Sequence, residues 1–98
     1  MTDVPATRDD QQQRFELVVD GLTAFLTFRR EEDRITLVHT EVPEALEGRG
    51  LGRRLVQTAL DYARANDLTV VPHCAYVKSY LERHPEEARD LRVASADA

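Results

Sequence analysis

The sequence holds a single cysteine, Cys74, and no tryptophan. One thiol rules out an internal disulfide and leaves too few soft ligands for a structural zinc centre; no metal site is expected, and a reducing, cytoplasmic setting is. No apolar run approaches the ~18 residues that a membrane-spanning helix needs. Met1-Thr2-Asp3-Val4-Pro5 also lacks the basic-then-apolar order of a secretion signal. Positive charge is in deficit: 13 Lys and Arg stand against 18 Asp and Glu, a formal net charge of -5. An acidic chain with few aromatics for base stacking is a poor match for nucleic acid. What remains is 98 residues, 42% hydrophobic and 32% charged, the composition of one globular domain with one modest core. A monomer is expected.

Residues 1–13 carry three Asp, three Gln and a Pro with almost nothing apolar, so they are expected to form a flexible arm. From Arg14 the pattern changes. Phe15, Leu17 and Val19 fall on alternate positions, and Asp20-Gly21 is a strong hairpin signal. Leu22, Ala24, Leu26 and Phe28 then share one face of a second strand, which the charged run from Arg29 to Asp33 is expected to end. A third strand runs from Arg34 to Val42, where Pro43 stops it. Leu51, Leu55, Val56, Ala59, Leu60 and Ala63 form a helical apolar stripe, closed by Asn66-Asp67.

Leu68-Thr69-Val70-Val71 reads as a short strand, made parallel to the third by the helical crossover. Residues 76–83 read as a second helix ended by His84-Pro85, with a polar tail after it. The expected domain covers residues 14–92, and residues 93–98 are expected to be a disordered tail. The expected fold is α+β: a mostly antiparallel sheet with one parallel strand pair and two helices.

Between the third strand and the long helix stands Gly48-Arg49-Gly50-Leu51-Gly52. Such glycines permit a tight turn whose amides converge on one point, and with the positive end of the helix and the side chains of Arg49, Arg53 and Arg54 they suit a pyrophosphate. The dinucleotide fingerprint fails because Arg53 stands where its third glycine belongs, and the Walker A loop fails because Gly52-Arg53-Arg54 replaces Gly-Lys-Ser/Thr. The plainer alternative is a structural turn beside solvated arginines. Three glycines within five residues exceed what a turn requires, which favours the ligand.

His39-Thr40-Glu41-Val42-Pro43, the glycine turn and Pro72-His73-Cys74 occur in that order, followed by Tyr76-Val77 and His84-Pro85. In these motifs the chain resembles the small GNAT-like N-acetyltransferase domain proteins, from about Phe15 to Glu86. The superfamily's coenzyme signature, Arg/Gln-x-x-Gly-x-Gly/Ala, here begins with Glu47, a departure at its first position. The resemblance implies acetyl-CoA as co-substrate, its pyrophosphate on the amides of Arg49 to Arg54 and its pantetheine in a wedge where the parallel strands splay. Val42, Gly48, Leu51, Cys74 and Tyr76 would then line the coenzyme site along with Gly50 and Gly52. A chain of this length has no room for the walls that enclose the acceptor in larger relatives, so the acceptor, an amine on a small molecule, a peptide or a protein lysine, is left open.

Transfer to an amine calls for a base, oxyanion donors and a proton for the departing thiolate. His39, near the carboxyl end of the third strand, has the pKa class of a base; its plainer role is a strand histidine. Cys74 is a candidate nucleophile or a buried lining thiol. By resemblance Tyr80 would protonate the sulfur, with Tyr76 its rival. A different class stays open as well: a non-catalytic coenzyme-binding module that senses the ligand or contacts a partner protein.

Overall fold

The computed structural model describes residues 6–94. They form a five-stranded sheet in the order β1 (Thr7–Asp9), β2 (Arg14–Val19), β3 (Leu22–Glu31), β4 (Arg34–Glu41) and β5 (Thr69–Pro72). Helix α1 (Leu51–Ala65) links β4 to β5, and α2 (Ala75–Arg83) follows β5. Neighbouring strands are antiparallel except β4 and β5. This is the expected α+β architecture.

Local sequence accounts for most of it. Asp20 and Gly21 both adopt left-handed backbone, φ 54° and 78°, as a two-residue turn between twisted strands requires. Leu22 pairs directly with Val19 across it. In α1 the residues Leu51, Gly52, Leu55, Val56, Ala59, Leu60 and Ala63 are buried, against Phe15, Leu17, Ala24, Leu26, Phe28, Ile35, Leu37 and Val70 of the sheet. Each large side chain so buried contributes roughly 1.5–3 kcal/mol. The helix ends at Asn66, whose amide side chain donates to the Tyr62 carbonyl at 2.8 Å, and Asp67 turns the chain left-handed at φ 54°.

Four expectations need correction. Within the expected arm, Thr7–Asp9 pair antiparallel with β2, and Arg8 lies 4.5 Å over the Tyr62 ring. Backbone bonds to a neighbouring edge and this stacking replace the apolar burial that the segment lacks; residues 1–5 of the arm lie outside the described residues. The charged run does not end β3, which continues to Glu31: the backbone of Arg29 and Arg30 pairs with Thr36 and Ile35, the Arg29 side chain is exposed, and the Arg30 guanidinium donates to the Tyr62 hydroxyl and lies over its ring. After α2 the chain makes a 3-10 turn, Pro85–Ala88, with Ala88 buried. Last, Val93 bridges Val70, and the Val70 amide donates to Arg92 while the Ala94 amide donates to Val70. The start of the expected disordered tail thus covers the outer edge of β5; its residues 95–98 lie outside the described residues.

One irregularity sets up the site. Thr27 pairs with His39, yet the next pair is Phe28 with Leu37, so Val38 is an extra, bulged residue in β4. A bulge reverses the alternation of side chains beyond it. Leu37 is buried on the helix side; His39 and Glu41 turn to the other face, and Thr40 turns inward toward Cys74.

Candidate functional site

Strands β4 and β5 pair from Arg34 with Thr69 up to Leu37 with Pro72. The amides of His73 and Cys74 both donate to the Leu37 carbonyl, at 3.0 and 2.9 Å, and there the chain turns away into α2. β4 continues to Glu41. The bulge and the end of the pairing coincide, and they open a wedge between the second half of β4 and the start of α2.

The glycine turn closes one end of this wedge. Gly48 and Gly50 have φ of 82° and 74°, conformations that side-chain-bearing residues rarely adopt. Gly50 caps α1 with no side-chain hydrogen bond, and the first turn of the helix carries no acidic residue. The α1 entry therefore keeps the polarity that favours an anion. Gly52 is constrained in another way: a Cβ there would meet the Tyr76 hydroxyl at 2.7 Å, so the tyrosine side chain would have to shift. The resulting groove, of about 470 Å³, is lined by Thr40, Glu41 and Val42 of the β4 end, Leu46 and Glu47 of the connecting 3-10 turn, Gly48, Gly50, Leu51 and Gly52, and Tyr76 from α2. A larger and more open hollow of about 580 Å³ runs between Gln11 and Val38, and none of the motif residues borders it.

A family model described as GCN5-related N-acetyl-transferase matches residues 14–91, the stretch that contains both the wedge and the glycine turn. The chain belongs to this GCN5-related N-acetyltransferase family. It is similar to Protein NATD1 of Mus musculus, 35% identical over 80 residues that cover 79% of this chain and 73% of the relative. Protein NATD1 of Homo sapiens is 34% identical over 80 residues, 79% and 71% of the two chains. Protein NATD1 of Gallus gallus is 32% identical over 85 residues, 84% and 77%. Membership supports an acetyltransferase-type function.

Within this GCN5-related domain the residues expected from sequence separate into two groups. Val42, Gly48, Gly50, Leu51, Gly52 and Tyr76 meet at the groove. Arg49 stands beside it, its guanidinium 3.3 Å from Asp20 in the β2–β3 turn, and Arg53 and Arg54 follow on the first turn of α1. His39 does not border the groove. It is exposed, packs edge-on against Phe25 with ring centroids 6.3 Å apart, and sets Nε2 3.6 Å from Glu41 Oε1. Glu41 does border the groove, so His39 reaches it through this carboxylate.

Cys74 is buried with its Sγ 3.5 Å from Thr40 Oγ1, and the threonine is the one of the pair that faces the groove. Tyr80 is elsewhere. Only 2% exposed, it donates its hydroxyl to Glu87 Oε2 at 2.6 Å, receives a long bond from Gln57 Nε2 at 3.5 Å, and stacks on His84. Burial, then the bond to Glu87, pushes its pKa up. The same bond pulls the Glu87 carboxyl down. Tyr80 is thus packed against the Pro85–Ala88 turn and does not border the groove; the tyrosine that lines it is Tyr76.

Sequence reading passed over Thr40, Glu41, Leu46 and Glu47 as groove residues. The motif around His39 was the available signal; which of its side chains face the groove depends on the bulge. Among the described residues, His84, Glu86 and Glu87 can bring one ligand atom each to within 4.8 Å of one another. All three are half-buried or exposed, and Glu87 already accepts from Tyr80 and Gln57.

Proposed function

We propose that the chain binds acetyl-CoA in the groove between β4, the glycine turn and α2, and moves the acetyl group to a primary amine. The observation that carries this reading is the coincidence, in one groove, of the β4 end released from β5 and the left-handed glycines at the entry of α1. The residues fit the coenzyme. Amides at an uncapped helix start, with Arg49, Arg53 and Arg54 around them, suit a pyrophosphate. The open edge of β4 suits the amide-bearing pantetheine arm, as an unpaired strand edge suits any chain of peptide groups.

Transfer forms one C–N bond and breaks one C–S bond; a proton leaves the amine and another is needed at the sulfur. Glu41, at the groove, is assigned the first proton, with His39 at 3.6 Å to share and relay it. Tyr76 is assigned the second, since its hydroxyl reaches across to Gly52 within the groove. Main-chain groups of β4 past Leu37, free of β5, are the candidate oxyanion donors. Thr40 holds the Cys74 thiol, an arrangement that favours direct transfer over an acetyl-cysteine.

The test is release of coenzyme thiol in the presence of a panel of amines, run beside calorimetric binding of acetyl-CoA. Glu41→Gln and Tyr76→Phe are expected to lower kcat about a hundredfold with little change in affinity, and Cys74→Ser to retain transfer. Full kcat in both Glu41→Gln and Tyr76→Phe contradicts these assignments. Tight binding with no turnover on any amine leaves a coenzyme-binding module instead.

A further inference from the structure

The inner end of the groove is closed by two side chains from different elements. Thr40 lines the groove, and its Oγ1 lies 3.5 Å from Cys74 Sγ. Cys74 stands where β5 gives way to α2, and its main chain is fixed there: its own amide and that of His73 both donate to the Leu37 carbonyl, at 2.9 and 3.0 Å. It is 7% exposed and belongs to the core cluster. On the β3 side the cross-strand partner of Thr40 is Leu26, which is 0% exposed. Protein cores hold few voids, so the groove ends at Thr40.

The direction of an acyl chain follows from the alternation of β4. Glu41, assigned the proton of the attacking amine, pairs with Phe25 and shares its face, the one away from the helices. Thr40, the residue before it, points to the helix side, toward Cys74. The amine has to arrive from the side of its base. An acyl chain that leaves this approach clear extends the other way, toward Thr40. We infer that the contact between Thr40 and Cys74 sets the length of the acyl group, admitting two carbons and rejecting longer chains. The inference rests on the coenzyme reading above and deepens it. Any acyl thioester reacts by the same exchange of a C–S for a C–N bond, so selection among donors falls to the room beyond the carbonyl carbon. A further methylene there meets the Thr40 hydroxyl and the buried thiol, and one methylene in a fitted pocket is worth about tenfold to 200-fold in discrimination.

The wall can be lowered from either side. Cys74→Ala removes the sulfur, about the space of one methylene, and Thr40→Ala removes a hydroxyl and a methyl from the other half of the same contact. Cys74→Ser keeps nearly the native size and controls for thiol chemistry. Acetyl-CoA and propionyl-CoA are compared within each protein, by thiol release on one amine and by calorimetric affinity, with a thermal melt to confirm folding. The wild type is expected to prefer acetyl-CoA by about tenfold or more. The propionyl-to-acetyl ratio is expected to rise about tenfold in each Ala variant and to stay at the wild-type value in Cys74→Ser. Where binding occurs without turnover, the affinity ratio carries the same test; where Cys74→Ala does not fold, Thr40→Ala carries it. Equal use of the two donors by the wild type overturns the inference. So does an unchanged ratio in the folded Ala variants while acetyl-CoA still binds, or an equal rise in Cys74→Ser. No binding of either donor by the wild type overturns it together with the coenzyme reading.

Discussion

A methyl group added at Gly52 would stand 2.7 Å from the Tyr76 hydroxyl, while Gly48 and Gly50 have open space around them and are fixed instead by their backbone angles. The three glycines of one motif thus have two different physical causes, and only the first two follow from reading the motif as a tight turn. The tyrosines show the same limit. Helical spacing places Tyr76 and Tyr80 four residues apart on α2, but burial of Tyr80 against Gln57 and Glu87 depends on a 3-10 turn that sequence reading left as a polar tail. The Glu87 carboxyl, depressed by the Tyr80 hydroxyl, makes a stability prediction. Its folded pKa lies below its unfolded value, so the stabilisation is present above the ordinary value of 4.5 and is lost as the pH falls through the folded one. Glu87→Gln is expected to melt below the wild type at pH 7 and to converge with it as the pH falls below the ordinary carboxyl range. A difference that is constant across that range contradicts the assignment.

Elements with strong local signals were legible. The hairpin followed from Asp20-Gly21, and α1 from its apolar stripe, ending where Asn66 and Asp67 stand. What was not legible was set by neighbours. β1 has no apolar pattern of its own and exists by pairing with β2, and the Arg92 to Ala94 segment is held by bonds to Val70. The bulge at Val38 is visible only in the pairing of β3 with β4; without it His39 would point inward and the histidine would be read as a groove residue. Because β1 lies at the far edge of the sheet from the wedge, removal of residues 1–13 is expected to lower the melting temperature by about 5 °C, through loss of the β1 ladder and the Arg8 stacking on Tyr62. Affinity for acetyl-CoA is expected to be unchanged, and a large loss shows that the arm completes the site.

On the scale of the whole molecule, 98 residues are enough for a sheet, one crossover helix and a wedge, and the GCN5-related family assignment over residues 14–91 falls on that unit. All buried strand side chains lie on the helix side of the sheet; Arg14, Glu16, Phe25, Thr27, His39 and Glu41 on the other side are half-buried or exposed. The glycine-turn half of the groove was legible because glycine geometry is written locally. The β4 half was not, because it depends on which face the bulge gives to His39 and Glu41. The central claim is that acetyl-CoA occupies the groove at the glycine turn, and amide-resolved NMR titration of the wild-type chain tests it most directly. Shifts are expected to concentrate at residues 40–42, at Gly48 to Arg54 and at Tyr76. An unchanged spectrum, or shifts centred on the hollow between Gln11 and Val38, contradicts the account.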